Sequence, residues 1–206
     1  MNFKVPTHSS IIINDVIYFD PYNLLGSFTK AKYIFITHSH YDHFSIEDIE
    51  KIISDQTIII ATSDVCKTCE KYFKNKIVEI KPNNQYKVDE IEFSTFPSYN
   101  LNKPFHPKSN NWVGYNLNIE NQNLVVVGDS DITEELLSQK VDILFVPIGG
   151  TYTMNPQEAS ALTNKLSPKT VIPVHYGSIV GTKEDEEKFK EGLNKNINVM
   201  VCIKWG

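Results

Sequence analysis

Cysteine is sparse in this chain, at three among 206 residues. That excludes a fold stapled by disulfides and fits a reducing compartment. No apolar run approaches the roughly 20 residues that cross a bilayer, and the start, MNFKVPTHSS, has no signal-peptide core. A soluble, cytoplasmic protein without membrane attachment is therefore expected. A surplus of basic charge is missing too. The formal net charge is −5 and the isoelectric point is near 5.7, which argues against a surface built to coat nucleic acid. No GxSxG is present, so the sequence offers no nucleophilic-serine elbow. No low-complexity segment or linker divides the chain. At this length, with 41% apolar and 22% charged residues, one domain over residues 1–206 is expected, large enough to bury a core unaided.

Histidine is also scarce, yet three of the six lie in THSHYDH, residues 37–43. His38, His40, Asp42 and His43 thus crowd into six positions. Imidazole and carboxylate both suit a divalent metal, and such crowding makes sense where an ion is gripped. Cys66 and Cys69 form a CxxC, but its setting, DVCKTCEKYFK, reads as a helix with no second cysteine pair to complete a zinc cage. It is read as inert.

Strand and helix signals alternate along the chain. SSIIIN and VIYFD form a hairpin around Asn14-Asp15, and KYIFIT runs into the histidine cluster. Ser45 opens a helix with Asp48 as its capping-box partner and Ile46, Ile49 and Ile53 on one face. TIIIA follows as a buried strand, Ser63 or Asp64 caps the CxxC helix, and IVEI and YKVDEIEF continue the β-rich middle. WVGYNLNI and NLVVVGD pair around residues 120–123. After them come a helix (TEELLSQK), the strand DILFVPI, a helix opened by Asn155-Pro156-Gln157-Glu158, the strand TVIPVH, a charged helix (KEDEEKFKEGLNK) and the strand NVMVCIK. The two halves repeat one order of elements, with Asp20 matching Asp129, FITH matching FVPIGG, and TIIIATS matching TVIPVHYG. Two packed sheets with helices outside and polar loops along one edge are expected.

Strand ends are rigid mounts beside flexible loops. NLVVVGDSD sets Asp129 at one such end, and TVIPVHYG sets His175 at another. Alone, Asp129 reads as a helix cap and His175 as a hydrogen-bonded core residue. Beside HSHYDH, joint ligation is the stronger reading.

THSHYDH after an apolar strand, GDS after the next long β pair and PVHYG near the end resemble the HxHxDH, Asp and late-His motifs of the metallo-β-lactamase superfamily. The likeness covers nearly the whole chain in the right order. Size and the HSS…DPY start look closest to its small UlaG-like metal-dependent hydrolases, which include a sugar-lactone lactonase. The resemblance implies an α/β fold, an αββα sandwich of two mixed sheets with outer helices, and two divalent ions, zinc in the first instance, with manganese or iron as alternatives. It implies His38 and His40 on a first metal, Asp42, His43 and His175 on a second, and Asp129 between them. A further first-metal histidine belongs to the family pattern, at a strand end where this chain has FPSYN. His106, in KPFHPK, is the favoured substitute. The alternatives are Asn100 or Tyr99 as ligand, His8 reaching in from the first strand, or a single occupied position. His8 is otherwise read as facing substrate or backing a ligand, and Asp20 as accepting from a liganding imidazole.

Such a site would use a metal-activated hydroxide on a small ester, lactone or phosphoester, with Asp42 or Asp129 moving the proton. Lys103 and Lys108, which flank His106, would lie at the pocket mouth and favour an anionic substrate, and Tyr152 or Tyr176 could donate to it. A homo-oligomer is compatible with the sequence. The competing readings are a non-catalytic metal-dependent binding module and a nuclease of the same fold.

Overall fold

The computed structural model describes residues 1–204. The first sheet has six strands in chain order: β1 (Phe3–Lys4), β2 (Ile11–Ile13), β3 (Ile17–Phe19), β4 (Tyr33–Ile36), β5 (Ile58–Ala61) and β6 (Lys76–Glu79). The second has seven: β7 (Gln85–Val88), β8 (Ile91–Pro97), β9 (Val113–Ile119), β10 (Gln122–Val126), β11 (Ile143–Pro147), β12 (Thr170–Val174) and β13 (Asn198–Val199), again with sequence neighbours side by side. Both sheets are mixed. β1 to β3 pair antiparallel and β3 to β6 parallel; β7 to β10 pair antiparallel and β10 to β13 parallel. The expected echo between the halves is therefore a real repeat of topology, with β3, β4 and β5 answering β10, β11 and β12.

Two tight turns set the register. Asn14 (φ 49°) and Asp15 (φ 62°) join β2 to β3, and Glu120 (φ 52°) and Asn121 (φ 61°) join β9 to β10. Two consecutive positive φ values give the turn whose twist matches that of the paired strands. Asn and Asp adopt that region at least cost after glycine.

The central strands are apolar on both faces because both faces are covered. Ile11, Ile13, Phe19, Phe35 and Ile60 pack against Phe93, Tyr115 and Leu117 of the other sheet. Their neighbours Ile12, Tyr18, Ile34, Ile36 and Ile59 face outward, onto Ile49 and Ile52 of α1 (Ile46–Ile52) and Val65, Cys66 and Cys69 of α2 (Ser63–Tyr72). On the other side, α3 (Glu134–Leu137), α4 (Pro156–Leu166) and α5 (Lys183–Glu191) cover the second sheet. The layers are helix, sheet, sheet, helix, as expected. Among the described residues no helix is long and apolar enough to cross a membrane.

Some local expectations need correcting. Ser45 caps α1, but the Asp48 carboxylate does not close the box. It accepts instead from the backbone N–H groups of Asn23 and Leu24 at 2.7 and 2.9 Å. The buried face of α1 is Asp48, Ile49 and Ile52, with Ile53 packed at its edge and Ile46 outside it. Thr62, not Ser63 or Asp64, holds the N-cap position of α2. α4 begins as read, with Asn155 and Glu158 forming a complete capping box around Pro156. TEELLSQK contracts to the single turn of α3, and NVMVCIK to the two residues of β13.

Candidate metal centre

The parallel strands end along one edge, and the polar residues gather there. His38, His40, Asp42 and His43 follow β4, Asp129 follows β10, and His175 follows β12. His106 comes from the loop after β8, and His8 from the turn before β2. The root of the HSHYDH loop is pinned from across the sandwich. The Tyr115 hydroxyl donates to the Ile36 carbonyl at 2.7 Å, and the Val113 N–H to the Thr37 carbonyl at 3.2 Å.

These side chains converge. His38, His40 and His106 can present one ligand atom each within 4.8 Å of one another, as can His8, Asp42, His43 and His175, and also His38, His43 and Asp129. Asp129 lies in the middle. Its carboxylate is 3.9 Å from His38 Nε2, 3.3 Å from His43 Nε2, 3.2 Å from His106 Nε2 and 3.0 Å from His175 Nε2. Asp42 is 3.8 Å from His43 Nε2 and 3.9 Å from His175 Nε2.

The rings are oriented from behind. Thr37 donates to Asp20 twice, from its N–H at 2.8 Å and its hydroxyl at 2.7 Å. With its proton so used, the Thr37 oxygen accepts from His38 Nδ1 at 2.9 Å. His43 Nδ1 donates to the same Asp20 at 2.8 Å, which is the role read for this aspartate from sequence. Asn100 does likewise for His106. Its Oδ1 accepts from the His106 backbone N–H at 3.0 Å and faces Nδ1 at 2.9 Å. An amide oxygen facing a backbone N–H fixes which end of the Asn is the acceptor, so Nδ1 carries the proton. Each of the three imidazoles thus turns its Nε2 inward.

Nothing in the protein satisfies those inward atoms. The Nε2 atoms of His38, His43, His106 and His175 and one oxygen of Asp129 are buried without a hydrogen bond. An unsatisfied buried polar group costs about 1–3 kcal/mol, so five gathered in one cluster make little sense in a site built for protein alone. Divalent cations bound among them would answer these atoms, and the donor set, imidazole with carboxylate, suits zinc, manganese or iron.

The electrostatics hold the two carboxyls ionised and His38 neutral, and draw His43 towards its charged form while no metal competes for its Nε2. Burial, helped by His43, pushes the His38 imidazole well below its usual range, so it resists protonation. Burial works against ionising Asp129, but His175 and His43 more than offset it and hold the carboxyl well below the usual range. Burial opposes ionisation of Asp42 as well, yet the His8 hydrogen bond and His43 bring its carboxyl down to about 2. Burial would lower His43, and the Asp129 and Asp20 carboxylates reverse that and raise it.

Backbone strain marks the same edge. His8 (φ 49°), Asp20 (φ 45°) and His175 (φ 58°) all occupy the left-handed region, and the His175 N–H donates to the His8 carbonyl at 2.9 Å. Gly149, at the end of β11, lets that edge close, since a Cβ there would lie 2.1 Å from the His175 carbonyl oxygen.

Beside the cluster opens a cavity of about 220 Å³, lined by His40, Tyr41, Asp42, Phe105, His106, Asp129, Tyr152 and Ile179. Tyr152 lies on its wall, as expected. Three other expectations do not hold. Tyr176 is fully buried, and its hydroxyl donates to Glu186 of α5 at 2.8 Å, away from the cavity. Lys103 is bound to Asp131. Lys108 reaches Glu135 at 2.7 Å and lies over the Tyr99 ring. Neither lysine lines the cavity, because each has an acidic partner on the adjoining Asp131–Glu135 stretch. His8, read as facing substrate or backing a ligand, takes the second of those places. It is buried, with Nε2 3.1 Å from Asp42 Oδ2 and Nδ1 3.3 Å from the Ser178 hydroxyl. The alternatives to His106 are engaged elsewhere, Asn100 in holding His106 and Tyr99 with its hydroxyl 3.1 Å from Glu135. Sequence reasoning missed the Asn100 clamp, the Thr37 relay and the cavity residues Tyr41, Phe105 and Ile179. It also missed Trp112, whose ring lies 4.9 Å from His38 and 4.7 Å from His40.

Residues 7–175 match the family model of the beta-lactamase superfamily domain, and the chain belongs to that family. Over 91% of its length it is 30% identical to a UPF0173 metal-dependent hydrolase of Thermodesulfovibrio yellowstonii, 80% of which is covered. A protein of Parabacteroides distasonis of known crystal structure superposes with a TM-score of 0.82, at 27% identity over 97% of this chain and 91% of the other. The metallo-beta-lactamase fold protein YhfI of Bacillus subtilis superposes at 0.70, with 13% identity over 97% and 91%, and shares the fold.

Proposed function

We propose that the chain is a metal-dependent hydrolase of small molecules that holds two divalent ions, zinc in the first instance. Family membership and the names borne by its relatives support the class. The observation that carries the reading is the set of buried, unsatisfied Nε2 atoms of His38, His43, His106 and His175 around the Asp129 carboxylate. His38, His40 and His106 would hold one ion, Asp42, His43 and His175 the other, and Asp129 would serve both.

When bound, the ions supply a water acidic enough to ionise near neutral pH and a Lewis acid for the developing oxyanion. The chain's own residues do the rest. Asp42 lines the cavity wall, has its carboxyl held down to about 2 and is oriented by His8, so it can take a proton from the attacking water and return it to the leaving group. Asp129 sits deeper, 4% exposed, and its role is to hold the two ligand groups at fixed spacing. Trp112 walls the far side of His38 and His40, and its indole N–H is anchored on Asp64 at 2.9 Å.

The test is elemental analysis of the purified protein, followed by chelation and re-addition of zinc, manganese or iron, with turnover measured on esters, lactones and phosphodiesters. Activity that is lost and regained with metal supports the reading. A protein that binds two ions and turns over none of these substrates would be a binding module instead.

A further inference from the structure

The expectation of an anionic substrate rested on lysines at the cavity mouth, and both lysines are engaged elsewhere. What the mouth presents instead is aromatic and aliphatic. Tyr41 is 67% exposed, with its ring 6.0 Å from Tyr22, and Phe105 is 40% exposed and meets Tyr152 edge-on at 4.8 Å. Ile179 completes the rim. Large apolar side chains left in water around a small cavity are binding surface rather than packing.

The charged groups within reach all have one sign or a prior task. Asp42 and Asp129 are the carboxylates of the lining, and His106 turns a free Nε2 into the ligand cluster. The twenty basic residues of the chain are all lysines, so no arginine is present to clamp a carboxylate or phosphate in two-point fashion. A second anionic group on a substrate, out on the rim away from the ions, would be set against aromatic rings with no side-chain cation to receive it.

We infer that the substrate is neutral outside its reacting bond, carrying an aryl or short branched alkyl group that rests on Tyr41, Phe105, Tyr152 and Ile179. This rests on the hydrolase reading above and names the substrate class of that site. The cavity, at about 220 Å³, is smaller than ordinary drug-sized pockets, which limits that group to about one ring. An ester or lactone reacts with water: the acyl–oxygen bond breaks, the carbonyl carbon gains the hydroxyl, and the leaving oxygen takes the proton from Asp42.

Matched substrates test it. The zinc-loaded protein is assayed on 4-methylphenyl acetate and 4-carboxyphenyl acetate, each rate referred to its hydroxide-catalysed rate, and on γ-phenyl-γ-butyrolactone with its 4-carboxyphenyl counterpart. The expected result is a preference of about tenfold or more in kcat/KM for the neutral member of each pair. Phe105→Ala and Tyr41→Ala should raise KM for the neutral substrates more than they lower kcat. Phe105→Lys, which sets a cation at the mouth, should narrow or invert the preference. Binding of 4-methylacetanilide and 4-acetamidobenzoate to the metal-free protein, followed by saturation-transfer NMR, gives a readout independent of turnover, and the neutral amide should bind more tightly. Equal or better turnover of the carboxylated members overturns the inference and leaves the hydrolase reading standing. Absence of turnover on both pairs by protein with its full metal complement overturns the inference together with ester and lactone hydrolysis.

Discussion

Replacing Asn100 by alanine isolates the support of one metal-facing ring. In the native chain the Asn100 oxygen accepts from His106 twice, through the ring Nδ1 at 2.9 Å and the backbone N–H at 3.0 Å. The first bond fixes the tautomer that leaves Nε2 free, and the second holds the loop that carries the ring. Asn100→Ala removes both, so His106 must be ordered and its tautomer chosen at the moment an ion binds. Loss of such an outer partner costs about 10- to 100-fold in metal affinity, equivalent to about 1.4–2.7 kcal/mol at 1.36 kcal/mol per decade. Competition against a chromophoric zinc chelator measures the change, and titration to saturation counts the ions. On the two-ion reading proposed above, the ion held by His106 should weaken by that factor while the other holds. Asn100→Asp keeps an acceptor opposite Nδ1 and gives up only the amide donation to the Tyr152 carbonyl, so it should bind the ion close to wild type. An alanine variant with undiminished affinity for both ions, or an aspartate variant as weak as alanine, would refute the clamp.

Further outcomes follow from the same geometry. His106→Ala should retain the fold by circular dichroism and lose about one ion per chain by elemental analysis, whereas Asp129→Ala should lower both metal content and turnover; full metal in either variant would remove that residue from the ligand set. Gly149→Ala should disrupt the His175 edge, because its Cβ would meet the His175 carbonyl at 2.1 Å; a variant with native melting temperature and metal content would contradict that contact. Burial pushes the Cys66 and Cys69 thiols up to about 12. At pH 8 only about one part in 10⁴ of each is thiolate, and that fraction grows tenfold per pH unit as pH rises. A thiol-disulfide reagent at pH 8 should therefore label the folded chain at Cys202 first, and equal rates at all three cysteines would show that α2 is open.

Much of this architecture is legible in the order of the amino acids. Continuous apolar runs such as YIFI and IIIA need cover on both faces, and their order with the intervening helices imposes the layers. HSHYDH, Asp129 and His175 are legible because each directly follows a strand, where the chain's direction is set by the sheet. What the amino-acid order hides are contacts that depend on side-chain direction. Tyr176 adjoins His175 in sequence, yet the left-handed backbone at His175 turns the chain there, and the phenol is buried against α5. Lys103 and Lys108 flank His106, but their four-carbon arms reach acidic partners that only folding brings near. Asn100 reads as a candidate ligand; its actual work, six residues upstream of His106, needs the closed loop to be visible.

The left-handed residues along the ligand edge carry a cost beyond the site. Of the thirteen non-glycine residues with positive φ among the described residues, eight are Asn or Asp, the types that bear this conformation most easily. His8 and His175 are not of that kind, and each holds a conformation costing about 1–3 kcal/mol. A domain's whole margin is about 5–15 kcal/mol, so these two positions draw on a considerable part of it. Glycine would relax the backbone there but could not present an imidazole. The protein thus trades robustness for reactivity along this edge, and variants that give up the histidines can gain thermal stability as they lose the centre.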